Sequence, residues 1–363
     1  MPPRFPLPPG STIGIVGGGQ LGRMLALAAA RLGFDVAVLV REVDGPAGRV
    51  AARTVVGAYN DPAAVTELAR QCDVLTFEFE NVAASVIAGL EAEGVQVAPP
   101  GRALAVSQDR VDEKSFLNSQ GIATVGFAPV DSPEDIRAGL ARLGAPALLK
   151  TRREGYDGKG QAWVSGPGEV EAAFDRIGRK PAILEAKAEF VREVSVIAAR
   201  TRDGSVACYA LAQNHHEHGI LRRSIAPAAA SAELRAQAHG IAARLLDALD
   251  YVGVIGVEMF ELGDGRLLVN EFAPRVHNSG HWTLDACEVD QFEQHIRAIA
   301  GWPLGPTRML AAVEMQNLLG DEAHDWATLA AEPDARIWLY GKRDAAPRRK
   351  MGHVNRLKPL DAS

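Results

Sequence analysis

At 363 residues, with 47% hydrophobic and 23% charged side chains, the chain is long enough to build two or three domains with cores of their own. A formal net charge of −6 argues against a nucleic-acid binder, which carries a basic balance. Three dispersed cysteines (Cys72, Cys208, Cys287) make neither a disulfide framework nor a CxxC metal motif and fit a reducing, cytoplasmic setting, and no apolar run reaches membrane-spanning length.

The first ten residues include five prolines and are expected to form a flexible leader, 1–10. Thr12–Val16 reads as a short buried strand running into a glycine cluster. An Ala/Leu-rich helix over Leu21–Leu32, stopped by Gly33, and a second strand over Val36–Val40 complete the βαβ opening of a parallel α/β sheet. Val74–Phe77 is a further strand, leading into Glu78-Phe79-Glu80-Asn81, and Ala98-Pro99-Pro100-Gly101 marks a first domain boundary. Ser132-Pro133-Glu134-Asp135 starts a helix, Ala147–Lys150 is a strand, and Arg152–Gln161 is a glycine-rich loop. Strands follow over Ala182–Glu185, Val191–Ala199 and Val206–Leu211, then a long helix over Ser231–Asp250. Val254–Leu262 and Arg266–Phe272 are apolar strands joined across Gly263-Asp264-Gly265, and the tail from Gly301 is weakly patterned up to a basic cluster, Arg348-Arg349-Lys350.

Gly17-Gly18-Gly19-Gln20-Leu21-Gly22 satisfies G-x-G-x-x-G between a strand and a helix, and Glu42 lies where a dinucleotide-binding domain places an acid for the ribose. The physical content is narrower. Glycines let backbone N–H groups approach an anion at a helix N-terminus, and a phosphorylated substrate uses that as well as NAD does.

The hairpin around Asp264-Gly265 is more informative. A two-residue turn there sets Glu258 directly opposite Glu271, with Cβ atoms roughly 5 Å apart. The same face then carries Val254, Phe260, Leu262, Leu267 and Val269. Two like charges on an apolar surface repel and lose hydration, so they need compensation. A hard divalent cation with oxygen ligands would supply it. The alternatives are a buried arginine, with Arg275 near enough to serve, or a solvated face. Under strict alternation Asn270 points to the opposite face.

Lys150 ends an apolar strand, and Gly155-Tyr156-Asp157-Gly158-Lys159-Gly160-Gln161 follows five residues later. This is not a Walker A loop, but a glycine flap with lysines as point charges serves phosphoryl transfer as well as it serves a plain surface loop. Pro274-Arg275-Val276-His277-Asn278-Ser279-Gly280-His281 follows the carboxylate strand directly, where polar side chains can meet a reacting acid.

Taken in order, Gly-Gly-Gly-Gln-Leu-Gly, Phe-Glu-Phe-Glu-Asn, Gly-Tyr-Asp-Gly-Lys-Gly-Gln, Asn-Glu-Phe-Ala-Pro-Arg-Val-His-Asn-Ser-Gly-His-Trp-Thr and Arg-Lys-Met-Gly-His resemble the N5-carboxyaminoimidazole ribonucleotide synthetase family of purine biosynthesis. The resemblance runs from Ser11 to Leu357. It implies an ATP-grasp fold of α+β subdomains with an N-terminal parallel-sheet, Rossmann-like domain over 11–105. An ATP-grasp module would span 106–300, with a lid near 125–188, and a small C-terminal domain 301–363. It also implies a homodimer that uses MgATP and bicarbonate, through carboxyphosphate, to carboxylate 5-aminoimidazole ribonucleotide.

By position, Arg110, Lys150 and the flap Gly155, Tyr156, Asp157, Gly158, Lys159, Gly160 and Gln161 would hold the ATP phosphates. Glu185, Ala186, Lys187 and Ala188 would line the adenine, Glu193 would take the ribose, and His216 would reach the nucleotide. Glu258 and Glu271, with Asn270, would hold magnesium at the nucleotide. Gln20, Leu21 and Glu78 would meet the ribonucleotide, whose 5′-phosphate would lie at Lys342, Arg349 and Lys350. Tyr156, Arg275, His277 and Asn278 would stand near the reacting centre with Lys150, the general base being left open between Tyr156, His277 and their neighbours. Two rivals share parts of this pattern: a formate-dependent glycinamide ribonucleotide transformylase has the carboxylates, lysines and first loop, and an NAD-dependent dehydrogenase has the first loop alone. A catalytically dead binding module is a third, against which the full set of charged residues argues.

Overall fold

The computed structural model describes residues 5–155 and 158–360. Four strands, β1 (Thr12–Val16), β2 (Asp35–Val40), β3 (Arg53–Val56) and β4 (Val74–Phe77), pair in parallel in the order β3-β2-β1-β4. β1 and β4 are buried along their whole length, as expected of parallel strands covered on both faces. The strand order reverses between β1 and β4, so the loops leaving their carboxyl ends diverge around a crevice.

A small antiparallel sheet follows: β5 (Phe127–Val130), β6 (Ala147–Thr151), β7 (Gln161–Val164) and β8 (Ala182–Ala186), in the order β5-β8-β6-β7. The helix Pro133–Leu143 packs on it, and its start is sealed by a capping box between Ser132 and Asp135.

The third sheet is the largest. It takes β9 (Phe190–Arg200), β10 (Val206–Cys208), β11 (Ala212–Glu217), β12 (Ile220–Ala226), β13 (Gly253–Leu262), β14 (Leu267–Ala273), β15 (Ala312–Leu319), β16 (Ala335–Leu339) and β17 (Lys350–Lys358). Their order is β14-β13-β9-β11-β12-β15-β17-β16, with β10 beside β9. The pairing of β12 with β15 carries the sheet across the expected boundary at 301, so the tail strands extend the central sheet rather than forming one of their own. Helix Ala232–Ala248 buries Leu234, Ala238, Ala242, Leu245 and Leu246 against β9 and β14. Helix Gln291–Ile299 packs on β13 and also on helix Gln20–Arg31, which fixes the N-terminal sheet against the central one.

The leader departs from expectation. Leu7 is buried, its N–H donates to Ala300 O at 2.8 Å, and its carbonyl accepts from Trp302 Nε1 at 2.8 Å. From Phe5 onward it is therefore anchored by apolar burial and backbone pairing. Among the described residues no helix is long and apolar enough to cross a membrane.

Candidate active site

The structure pairs Glu258 with Glu271, but by a different route from the one the turn predicts. The connection is a three-residue loop, Gly263-Asp264-Gly265, closed by Leu262 N donating to Arg266 O at 2.9 Å, with Gly265 at φ +81°. That shifts the register by one residue, so Met259 faces Val269 and Phe260 faces Leu268. A bulge then absorbs Asn270 and restores Glu258 to Glu271. Leu267 and Val269 consequently join the buried core with Met259. Asn270, instead of pointing away, lines one cavity with Glu258, Phe260 and Glu271.

Charge compensation is local and unequal. Arg110 Nη1 donates to Glu271 Oε2 at 2.7 Å, so the arginine partner is Arg110 and not Arg275, which pairs with Glu80. Burial works to raise Glu271, but the Arg110 charge and hydrogen bond prevail and hold it below the usual carboxylate range. With 38% of its side chain open, it is Arg110 that decides its ionisation. Glu258 has no such partner, and burial, opposed by His216, pushes it up.

Helix Arg110–Ser119 brings three charged groups to this point. Asp109 caps it through Val111 N at 3.0 Å, and Arg110, Glu113, Lys114 and Leu117 recur at the spacing of one helix face. Lys114, fully buried, donates to Asn270 O at 2.8 Å and lies 3.3 Å from Glu185 Oε1, while Lys150 Nζ lies 2.6 Å from Glu185 Oε2. Glu185 is thus held between two lysines, which outweigh burial and keep it ionised. Glu113 accepts from Phe272 N at 2.7 Å, and burial together with the charge of Glu271 pushes it up to about 8.

At the first glycine loop the helix N-terminus already meets a carboxyl group, which burial pushes above its ordinary value against the Gly19 hydrogen bond and the Arg275 charge. Gly19 N donates to Glu78 Oε1 at 2.8 Å and Gly18 N to Tyr59 Oη at 3.0 Å. Gly17 adopts φ +126°, and a Cβ there would come within 2.3 Å of Glu78 Cγ. A dinucleotide pyrophosphate would need these same amides, so the loop serves Glu78 instead of NAD.

Two cavities meet at Glu271. Lys150, Gly155, Gly158, Lys159, Gly160 and Gln161 line one, with Glu193, His216, Glu258 and Asn270. The flap closes by Thr151 N donating to Gly160 O at 2.8 Å; Tyr156 and Asp157 lie outside the described residues. His216 Nδ1 stands 2.5 Å from Glu193 Oε2, and that carboxylate with Glu258 overcomes burial to raise the imidazole. Gln20, Leu21, Arg275, His277, Asn278 and Lys350 line the other cavity. Arg110, Gly155 and Glu271 belong to both. His277 packs over Gly256, where a Cβ would come within 2.6 Å of His277 Cβ. Burial and the neighbouring Arg275 charge lower it to about 3, so the ring is neutral.

Comparison with known proteins settles the lineage. A family described as ATP-grasp domain matches residues 115–292, a ribonucleotide synthetase preATP-grasp domain matches 11–108, and a phosphoribosylaminoimidazole carboxylase C-terminal domain matches 314–362. The N5-carboxyaminoimidazole ribonucleotide synthase of Brucella melitensis biotype 1 is 54% identical over 355 residues, covering 97% of this chain and 98% of the relative. The chain belongs to the N5-carboxyaminoimidazole ribonucleotide synthase family. It adopts the ATP-grasp fold with the family's preATP-grasp parallel sheet. The synthetase of Thermus thermophilus superposes with a TM-score of 0.90 at 45% identity, covering 96% of this chain and 94% of that one. The synthase of Aspergillus clavatus, solved in complex with ADP and 5-aminoimidazole ribonucleotide, gives a TM-score of 0.91 at 32% identity, covering 97% and 95%.

Several residues implied by resemblance to this synthase family stand apart from both cavities. Glu185 faces the lysines, Lys187 pairs with Glu189 at 2.8 Å, and neither they nor Ala186 and Ala188 line the cavity that holds the flap glycines. Glu78 is buried beneath the glycine loop, outside the lining. Consecutive basic residues cannot all face one way: Lys350 lines a cavity, Arg349 Nη1 donates to Asp344 O at 3.1 Å, and Arg348 Nη2 to His218 O at 2.9 Å. Lys342 Nζ donates to Lys350 O at 2.6 Å. Sequence reasoning missed Glu80, Glu113 and Lys114. The last two carry a readable signal, since charged residues occupy the i+3 and i+4 positions that a helix of this length normally gives to its core.

Proposed function

We infer that this chain catalyses ATP-dependent carboxylation of 5-aminoimidazole ribonucleotide with bicarbonate. The products are N5-carboxyaminoimidazole ribonucleotide, ADP and phosphate, a step of de novo purine biosynthesis. The single observation that carries the reading is the joining of two polar cavities at Arg110 and Glu271, in a chain of this synthase family. One cavity carries the lysines and the glycine flap suited to a nucleotide triphosphate. The other carries Arg275, whose planar fork matches a carboxylate.

Bicarbonate oxygen takes the γ-phosphoryl group of ATP, giving carboxyphosphate and ADP. The exocyclic amine of the ribonucleotide then attacks the carboxyl carbon, and phosphate leaves. Lys150, Lys159 and the amides of Gly155, Gly158 and Gly160 hold the phosphates, with Gln161, Glu193 and His216 along the nucleotide. Gln20, Leu21, Asn278 and Lys350 bind the ribonucleotide, and Arg275 and the neutral His277 face the carboxyl carbon under attack. Closure of the flap excludes water from carboxyphosphate.

Glu258, Glu271 and Asn270 suit a magnesium ion. Two opposed carboxylates, one of them destabilised by burial, stand beside the buried Asn270 Oδ1, which has no hydrogen-bond partner. Among the described residues no group of three or more His, Cys, Asp or Glu has metal-binding geometry, so the remaining ligands would come from the nucleotide and water. When bound, the ion neutralises charge on the transferring phosphoryl group. We further take the chain to be a cytoplasmic homodimer. We also take it to be built as 11–105, 106–300 with a lid over 125–188, and 301–363.

The test is ADP release from MgATP and bicarbonate, with and without 5-aminoimidazole ribonucleotide. Release that requires the ribonucleotide supports the reading. Release sustained when formate replaces bicarbonate overturns it in favour of the transformylase.

A further inference from the structure

His277 and Asn278 line the second cavity, and neither is held by its own strand. β14 ends at Ala273, and the segment beyond it has left the sheet. Two buried carboxamides from elsewhere in the fold take over the role that a strand neighbour would have played. Gln291, the first residue of helix Gln291–Ile299, is completely buried. Its Oε1 accepts from His277 N at 2.9 Å and its Nε2 donates to His277 O at 2.8 Å. One side chain thus completes a two-point, strand-like pairing with the backbone of His277. The same Nε2 lies 3.1 Å from His281 Nδ1.

Asn317, fully buried in β15, does the equivalent for the next residue. Asn278 Nδ2 donates to Asn317 Oδ1 at 3.0 Å, and Asn317 Nδ2 donates back to Asn278 Oδ1 at 2.7 Å. Asn317 Nδ2 also donates to Leu221 O at 2.8 Å, which fixes its orientation. This reciprocal amide pair ties the cavity lining to a strand of the tail, which explains why a sheet running unbroken past residue 301 matters to the site.

We propose that Gln291 and Asn317 are positioning residues for the carboxylation, holding His277 and Asn278 in register with the ribonucleotide without touching it. The proposal rests on the functional reading above. Its physical content is that a small displacement of His277 or Asn278 changes the reacting geometry while leaving the nucleotide cavity intact.

The fold contains its own control. Gln294, one turn along the same helix and equally buried, makes the same two-point clamp on Gly305: its Nε2 donates to Gly305 O at 2.8 Å and Gly305 N donates to its Oε1 at 2.8 Å. Gly305 lines neither cavity. Gln291→Met and Gln294→Met therefore remove the same two-point backbone clamp, the first together with the contact to His281, and only the first loosens the site.

The experiment measures kcat/KM for 5-aminoimidazole ribonucleotide and the dissociation constant for MgATP in both variants and in Asn317→Asp. Asn317→Asp keeps the volume and the acceptor and, assayed at a pH where the new carboxyl is ionised, replaces the donor with a charge. The expected result is a fall of about tenfold or more in kcat/KM for the ribonucleotide in Gln291→Met and Asn317→Asp. MgATP affinity should stay within about twofold of the parent, and Gln294→Met should keep the parent kcat/KM to the same margin. Equal losses in Gln291→Met and Gln294→Met would overturn the proposal, as would parent-like kcat/KM in Asn317→Asp, which carries the test alone should Gln291→Met not fold. A parent protein without ribonucleotide-dependent ADP release would instead remove the functional reading itself.

Discussion

Arg110 Nη1 lies 2.7 Å from Glu271 Oε2, and both residues line both cavities. Through its second nitrogen, Arg110 also donates to Gly155 O at 2.9 Å, at the root of the flap. One guanidinium therefore links Glu271 to the flap at Gly155 where the two cavities adjoin. Arg110→Met should lower kcat/KM for ATP and for the ribonucleotide together, by about 10²-fold or more. Steady-state ADP release with each substrate varied in turn checks this, and loss confined to one substrate would refute the shared role.

The opposition of Glu258 and Glu271 sets stability against function. Burial raises Glu258 above its ordinary value, so the folded state favours its protonated form. That contribution is present at low pH and is lost as pH rises through the raised value. Glu258→Gln should therefore unfold at a higher temperature than the parent in metal-free buffer, with the gap widening from pH 5 to pH 8, values chosen to bracket roughly the usual range of a raised carboxyl. The same variant should show no turnover and a smaller thermal shift on adding MgATP. Scanning calorimetry at several pH values measures both.

Glu113 provides a second pH signature. Its carboxyl, pushed up to about 8 by burial and the charge of Glu271, is protonated in the folded protein at neutral pH. Between the usual carboxylate range and that value the unfolded chain releases the proton first, so stability declines as pH rises. Glu113→Gln keeps the acceptor for Phe272 N and removes the titration. Its melting temperature should fall less than that of the parent between pH 6 and pH 9, an interval spanning roughly the expected window.

Gly17→Ala tests the glycine loop. The φ of +126° strains any side chain, and the added Cβ would come within 2.3 Å of Glu78 Cγ. A loss of about 1–3 kcal/mol in stability is expected from the backbone alone, with more from displacing Glu78. Denaturant unfolding measures it, and Glu78→Ala should leave the conformational part of the loss in place.

Local pattern was enough for much of the fold. The buried runs Thr12–Val16 and Val74–Phe77 appear as strands with those bounds, and the Ser132 helix start carries its capping box. Each of these depends on side chains within a few residues, so periodicity and capping chemistry express them directly. The tail strands carry little such signal, because their stabilisation comes from pairing with strands distant in sequence.

The site divides along the same line. That Glu258 and Glu271 oppose one another on an apolar hairpin was determined by the sequence, although the assumed turn had two residues and the structure uses three with a compensating bulge at Asn270. The residue types of the flap, of Lys150 and of the Arg275–Asn278 segment were likewise legible, as was the resemblance they support. Which arginine neutralises Glu271, that two lysines flank Glu185, that Glu78 fills the anion site of the glycine loop, and that Gln291 and Asn317 brace the cavity lining were decided only by tertiary structure. The reason is physical. Hydrogen-bonded and ionic partners are chosen by distance and desolvation in the packed protein, and these pairings join residues from 14 to 161 positions apart, beyond the reach of any local periodicity.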